Sequence, residues 1–156
     1  MNMIFTFEVL KNTRRSFIRI IEKTSLAELN KIPKGFNNNI IWNIGHIIVT
    51  EQLLTYKLSG LPIMVSDDLI NKYRKDRKPE GDVTQEEVDE IKAILFSTIE
   101  RTEADYNKGN FKNFQEYTVS TTGNTLENIE DSLNFVLFHE GMHLGYVLAL
   151  LRAVKN

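Results

Sequence analysis

Apolar residues recur at helical spacing along most of the chain, and the breaks between those runs outline four long helices. Phe7, Leu10, Phe17 and Ile21 form one stripe and predict a first helix over residues 5–24. Arg14 falls on the same stripe; it is expected to snorkel to the bundle end, with an internal polar site as the alternative. Residues 29–39 contain Pro33 and Gly35 and end in asparagines suited to a helix N-cap, so they read as a loop. A second helix is predicted over 39–58, with Trp42, Gly45, His46, Val49, Leu53 and Tyr56 on its buried face. Ser59-Gly60, with Pro62 beyond, supplies its stop.

The long connection over 61–83 contains Ser66-Asp67-Asp68, which could cap a short extra helix. Thr84 and Glu87 have the spacing of a capping box and open a third helix. It runs through Val88, Ile91, Leu95 and Thr102 towards Tyr106 and ends near Gly109. Residues 110–124 form a second long loop, and the fourth helix is predicted from near Thr125 to about Val154. Strand alternation, internal repeats and a Gly-rich phosphate loop are absent. The class is therefore all-α, a single four-helix bundle domain over residues 1–156. The connection over 61–83 can span a helix roughly 30 Å long, so a parallel arrangement of the second and third helices is allowed.

Composition changes this picture little. At 42% hydrophobic and 26% charged residues, the chain is an ordinary soluble globular protein, long enough to bury a core. A net charge of −2 creates no field suited to nucleic acid or an anionic membrane. In residues 72–77 the basic side chains alternate with an acid, which reads as a solvated loop. The most apolar stretch, 40–58, is interrupted by Asn43, His46, Thr50, Glu51, Gln52 and Lys57 and does not read as a membrane span. The first residues lack a basic segment followed by a long apolar run, so a cytoplasmic protein is expected. Cysteine is absent, which excludes disulfides, thiolate metal sites and a cysteine nucleophile together.

The candidate chemistry lies in the only three histidines. His139 and His143 are four residues apart on the last predicted helix, about 40° apart around its axis and roughly 6 Å along it. Two imidazoles so placed can converge on one ion, and His46 lies on the apolar stripe of another helix. A single histidine on such a face is more often a hydrogen-bonded core residue. Burying three without a common partner, however, would leave several ring nitrogens in need of separate hydrogen bonds. A shared divalent metal resolves that cost, and imidazole suits zinc, nickel, copper or iron better than magnesium or calcium. Three protein ligands leave positions open on the ion, which reads as a reactive rather than a structural site.

Residues 139–143 also match H-E-x-x-H, the zinc-protease helix in which the glutamate is general base. The third ligand of such proteases has no counterpart: Tyr146 and Ala149 stand where Gly and His would be needed, and no acidic residue follows Glu140. Glu140 lies between two apolar stripes. It is expected to form a salt bridge or cap to a neighbouring helix, or to support the metal site as a hydrogen-bond partner or proton carrier. Gly141 and Gly145 share another face and would allow a close helix contact, within the bundle or across a dimer.

Trp42-Asn43-Ile44-Gly45-His46 followed by Glu51, Thr122-Gly123 before the last helix, then His139-Glu140, His143, Gly145 and Leu151-Arg152 resemble the DinB/YfiT-like superfamily, in order and over nearly the whole chain. The resemblance implies an up-down-down-up four-helix bundle, a zinc or nickel site on His46, His139 and His143, and a homodimer. It further implies a metal-dependent enzyme that uses a low-molecular-weight thiol, and it does not imply DNA binding. The leading expectation is a thiol S-transferase acting on a small electrophile held near residues 61–83 and 110–124. A metal-dependent hydrolase and a non-catalytic, metal-stabilised binding module are the alternatives.

Overall fold

Why the second long helix is buried on every side becomes clear once the short elements around it are placed. The computed structural model describes residues 2–155. Four long helices, α1 (Ile4–Glu22), α3 (Ile40–Gln52), α5 (Gln85–Asn107) and α6 (Ile129–Lys155), are joined by short helices α2 (Leu26–Asn30) and α4 (Asp67–Tyr73). The structure is all-α apart from a two-stranded hairpin, β1 (Tyr117–Thr118) and β2 (Thr125–Leu126). Each of α1 and α3 packs against both α5 and α6. α1 runs antiparallel to α5, since Phe7 meets Tyr106 at one end and Glu22 pairs with Lys92 at the other. α3 and α6 are likewise antiparallel: Asn43 bonds His143, and Ser132 bonds the Leu54 carbonyl.

Side-chain caps set most helix starts, each stabilising by about 1 kcal/mol. Asn39 accepts from the Trp42 amide and Ser66 from the Leu69 amide, as their spacing predicts. At α5 only half of the expected capping box forms. Thr84 accepts from the Glu87 amide, but the Glu87 carboxylate turns away to Tyr73 and Lys72. α6 starts at Ile129 with Asn128 accepting from the Asp131 amide, later than predicted. Thr125 instead pairs with Thr118, because Gly123, at φ +74, turns the loop back on itself as a hairpin.

α3 continues into a π-helical turn, Leu53–Lys57, before Gly60 ends it with φ +69. α4 lies against its first half. The Trp42 indole N–H donates to the Lys72 carbonyl, and the Tyr73 ring packs onto Gly45. A Cβ at Gly45 would sit 2.5 Å from that ring, so glycine is required for this approach. Tyr73 is thus a buried helix residue rather than part of the expected solvated loop. Arg14 also departs from the snorkelling expectation and is fully buried.

The apolar core has two parts. One surrounds Phe17, Ile44, Ile48, Leu95 and Val147, and the other surrounds Leu10, Leu54, Ile99, Leu133 and Val136. Gly141 and Gly145 face outwards, with nothing within 4 Å of an added Cβ, so the predicted close contact within the bundle is not made. Among the described residues, no helix is long and apolar enough to cross a membrane.

Candidate metal centre

α3 and α6 bring His46, His139 and His143 together. Each offers a ring nitrogen, and these atoms lie within 4.8 Å of one another. Two metal–nitrogen bonds of about 2.0–2.1 Å span at most about 4.2 Å, so the rings need close in only slightly to share one ion. The ring centroids are 4.4–5.1 Å apart. The i, i+4 spacing aligns the α6 pair, and antiparallel packing sets His46 opposite both.

Backbone and amide partners fix two of the rings. His46 Nδ1 lies 2.7 Å from the Tyr73 carbonyl, which can only accept, so this nitrogen carries the proton and Nε2 keeps its lone pair. The Thr50 hydroxyl is 3.4 Å from that Nε2. Trp42 stacks on the ring with centroids 4.8 Å apart and planes 11° apart. His143 Nδ1 bonds Asn43 Oδ1 at 2.8 Å, while the Asn43 amide group donates to Asn39 and Asn38. His143 Nδ1 is therefore the donor, and its Nε2 is left unprotonated. Such outer partners orient metal-bound histidines and set their tautomers.

His139 has no comparable support. Its Nδ1 is buried without a hydrogen-bond partner, a condition that costs about 1–3 kcal/mol. Burial lowers the pKa of all three imidazoles. The neighbouring His143 and His46 add to the effect at His139, which falls to about 2, and His46 adds to it at His143, which falls to about 4. At neutral pH the cluster is uncharged, the form in which imidazole binds a metal. Two unprotonated Nε2 atoms and an orphaned buried nitrogen form a donor set that could hold one divalent metal ion.

Glu140 belongs elsewhere. Arg14 donates to it from Nε at 3.1 Å and from Nη2 at 2.6 Å, and both side chains are buried. The Arg14 Nη1 also donates to the Leu95 carbonyl and the Thr98 hydroxyl. Glu51 lies 3.8 Å from Nη2 and accepts from Thr102, Gln52 and Thr55. Burial works against the Arg14 charge, but Glu140 and Glu51 outweigh it and raise the pKa. At Glu140, burial outweighs Arg14 and leaves that pKa raised as well. The salt-bridge reading of Glu140 thus describes its contacts. Its carboxylate is held by Arg14 on α1.

A cavity of about 470 Å³ opens beside the three histidines. The π-helical turn contributes Leu53, Leu54 and Lys57 to its wall, and the hairpin segment contributes Tyr117, Val119 and Ser120. Both long connections reach it, through Lys75 and through residues 115–121.

Sequence reasoning overlooked Asn43, Thr50 and Tyr73. Asn43 stands in the same short segment as Trp42 and His46, and Thr50 stands one turn after His46. Tyr73 left no signal, because it acts through its backbone carbonyl. Comparison with known families matches residues 10–147 to the DinB superfamily, a span that includes all three histidines. No protein with a curated description matches the chain.

Proposed function

Because the chain belongs to the DinB superfamily, we propose that it holds one divalent ion, zinc or nickel, and acts as a metal-dependent thiol S-transferase on a small electrophile. The observation that carries this reading is a three-histidine cluster at the edge of a cavity, in a protein with no cysteine of its own. His46, His139 and His143 would hold the ion, whose charge favours thiolate over thiol.

The remaining work falls to the protein. The Tyr73 carbonyl and the Asn43 amide hold two imidazoles with Nε2 unprotonated, so ligation requires no tautomer change at either. Leu53, Leu54, Phe135 and Met142 line the cavity with apolar surface, which desolvates a nucleophile bound there. The Thr50 hydroxyl, beside His46, can donate to a sulfur or oxygen entering the cluster. A cytoplasmic setting, with abundant small thiols, suits this activity.

Metal content of the purified protein and thiol-dependent turnover of a chloro-nitroaromatic acceptor test the proposal. A zinc- or nickel-loaded protein is expected to consume the acceptor only when thiol is added. No thiol-dependent rate with any metal would sink it, and ester turnover without thiol would indicate hydrolysis instead.

A further inference from the structure

The cavity beside the histidines has an uneven charge. The chain carries more acidic than basic residues, 21 against 19, yet among the residues lining this cavity the charged side chains are Lys57 and Lys75, with no carboxylate. Three lysines outside the cavity have acidic partners: Lys11 pairs with Glu103, Lys72 with Glu87 and Lys92 with Glu22. Lys57 has no ion-pair partner among the described residues, and Lys75 donates only to the Ser120 hydroxyl. The rest of the wall is mainly apolar, including Leu53, Leu58, Val119 and Phe135.

We propose that this cavity takes a small organic anion, a molecule with an apolar body and a terminal carboxylate, whose charged end pairs with Lys57 and Lys75. The proposal deepens the preceding reading and rests on it in placing that molecule beside the ion. The physical reason is complementarity. An apolar wall holds the body by burial, while two ammonium groups with no competing carboxylate give charge-assisted hydrogen bonds to the head. The Lys75–Ser120 contact links residues of the two long connections at the wall, so a carboxylate can take over the Ser120 position on Lys75 without breaking an ion pair.

The test uses two probes of nearly equal shape, 4-phenylbutyrate and its amide, titrated into the purified protein with and without zinc by ligand-observed NMR. The acid is expected to bind about tenfold more tightly than the amide, the size of two modest ion pairs. That preference should fall to about one in a Lys57→Met/Lys75→Met double variant. It should persist in Lys34→Met, an exposed lysine outside the cavity. Each variant's far-UV spectrum and melting temperature establish that it folds. Equal binding of acid and amide, or a preference that survives the double substitution, overturns the proposal.

The zinc-free arm separates this outcome from the metal reading. A preference seen only with zinc and indifferent to the lysines places the anion on the metal; it refutes the lysine site and leaves the metal centre standing. A lysine-dependent preference in a protein that takes up neither zinc nor nickel supports the anion site and refutes the metal centre.

Discussion

His139 and Glu140 are neighbours in sequence, yet they belong to two polar clusters of opposite character. Around Glu140, every charge has a counter-charge or a hydrogen bond. Arg14 reaches Glu140 on α6, Glu51 on α3, and Leu95 and Thr98 on α5. Around His139, the imidazoles press together with a buried nitrogen unpartnered and their pKa values lowered. One cluster is closed and complete; the other opens on a cavity. A buried ionic cluster in which each group is satisfied acts as a register mark between helices. An incomplete one beside open space is a place where a ligand can be stabilised.

The position of the closed cluster is regular. Arg14 lies between Leu10 and Phe17, Glu51 between Val49 and Leu54, Thr98 between Leu95 and Ile99, and Glu140 between Val136 and Val147. In each case one neighbour belongs to one apolar cluster and the other neighbour to the second. The ionic layer thus marks the boundary of the two core halves on all four long helices. A shift of one helix turn would strand a charge in hydrocarbon, and so this layer sets the height at which His46 meets His139 and His143.

The sharpest way to break the contrast is to remove one member from each side. Arg14→Met leaves two buried carboxylates without their cation, and urea unfolding should show a loss of about 3–5 kcal/mol. His139→Leu, measured without metal, removes an unpartnered nitrogen at similar volume and should cost less than about 1.5 kcal/mol. Equal losses would erase the distinction.

Metal should affect only the open side. At a hundredfold excess over its dissociation constant, zinc or nickel should stabilise the parent protein by about 2.7 kcal/mol. The gain should vanish in His46→Ala and reverse on chelation, as read by thermal melting. Gly45→Ala sharpens the role of α4. Overpacking against the Tyr73 ring should cost about 1–3 kcal/mol and also weaken metal binding, because the Tyr73 carbonyl that orients His46 moves with the ring. Unchanged metal affinity in a destabilised variant would separate the two effects.

Acid should reach the open cluster gradually. Unfolded histidines titrate near 6.5, whereas folded His143 and His139 titrate near 4 and 2. Protons therefore bind the unfolded chain first. Stability of the metal-free protein should be fully present above pH 6.5 and fall below it by about 1.4 kcal/mol per pH unit for each proton taken up, down to about pH 4 for His143 and about pH 2 for His139. His143→Gln should flatten the slope measured by denaturant midpoints.

Local pattern was enough for the helices and for singling out the three histidines that cluster. Apolar periodicity, the Asn39, Ser66 and Thr84 caps and the Gly60 and Gly109 stops are short-range effects of backbone geometry, and the spacing of His139 and His143 is a property of one helix. They are legible because their causes lie within a few residues. The fate of Arg14, the hairpin at Thr125, the Tyr73 carbonyl on His46 and the two lysines at the cavity were decided only by tertiary packing. Most depend on partners far along the chain, as Arg14 depends on Glu140, 126 residues away, whereas the hairpin pairs residues only seven apart. A periodic pattern says that a side chain is buried; which charge, carbonyl or void it meets there is set by the helices that pack against it.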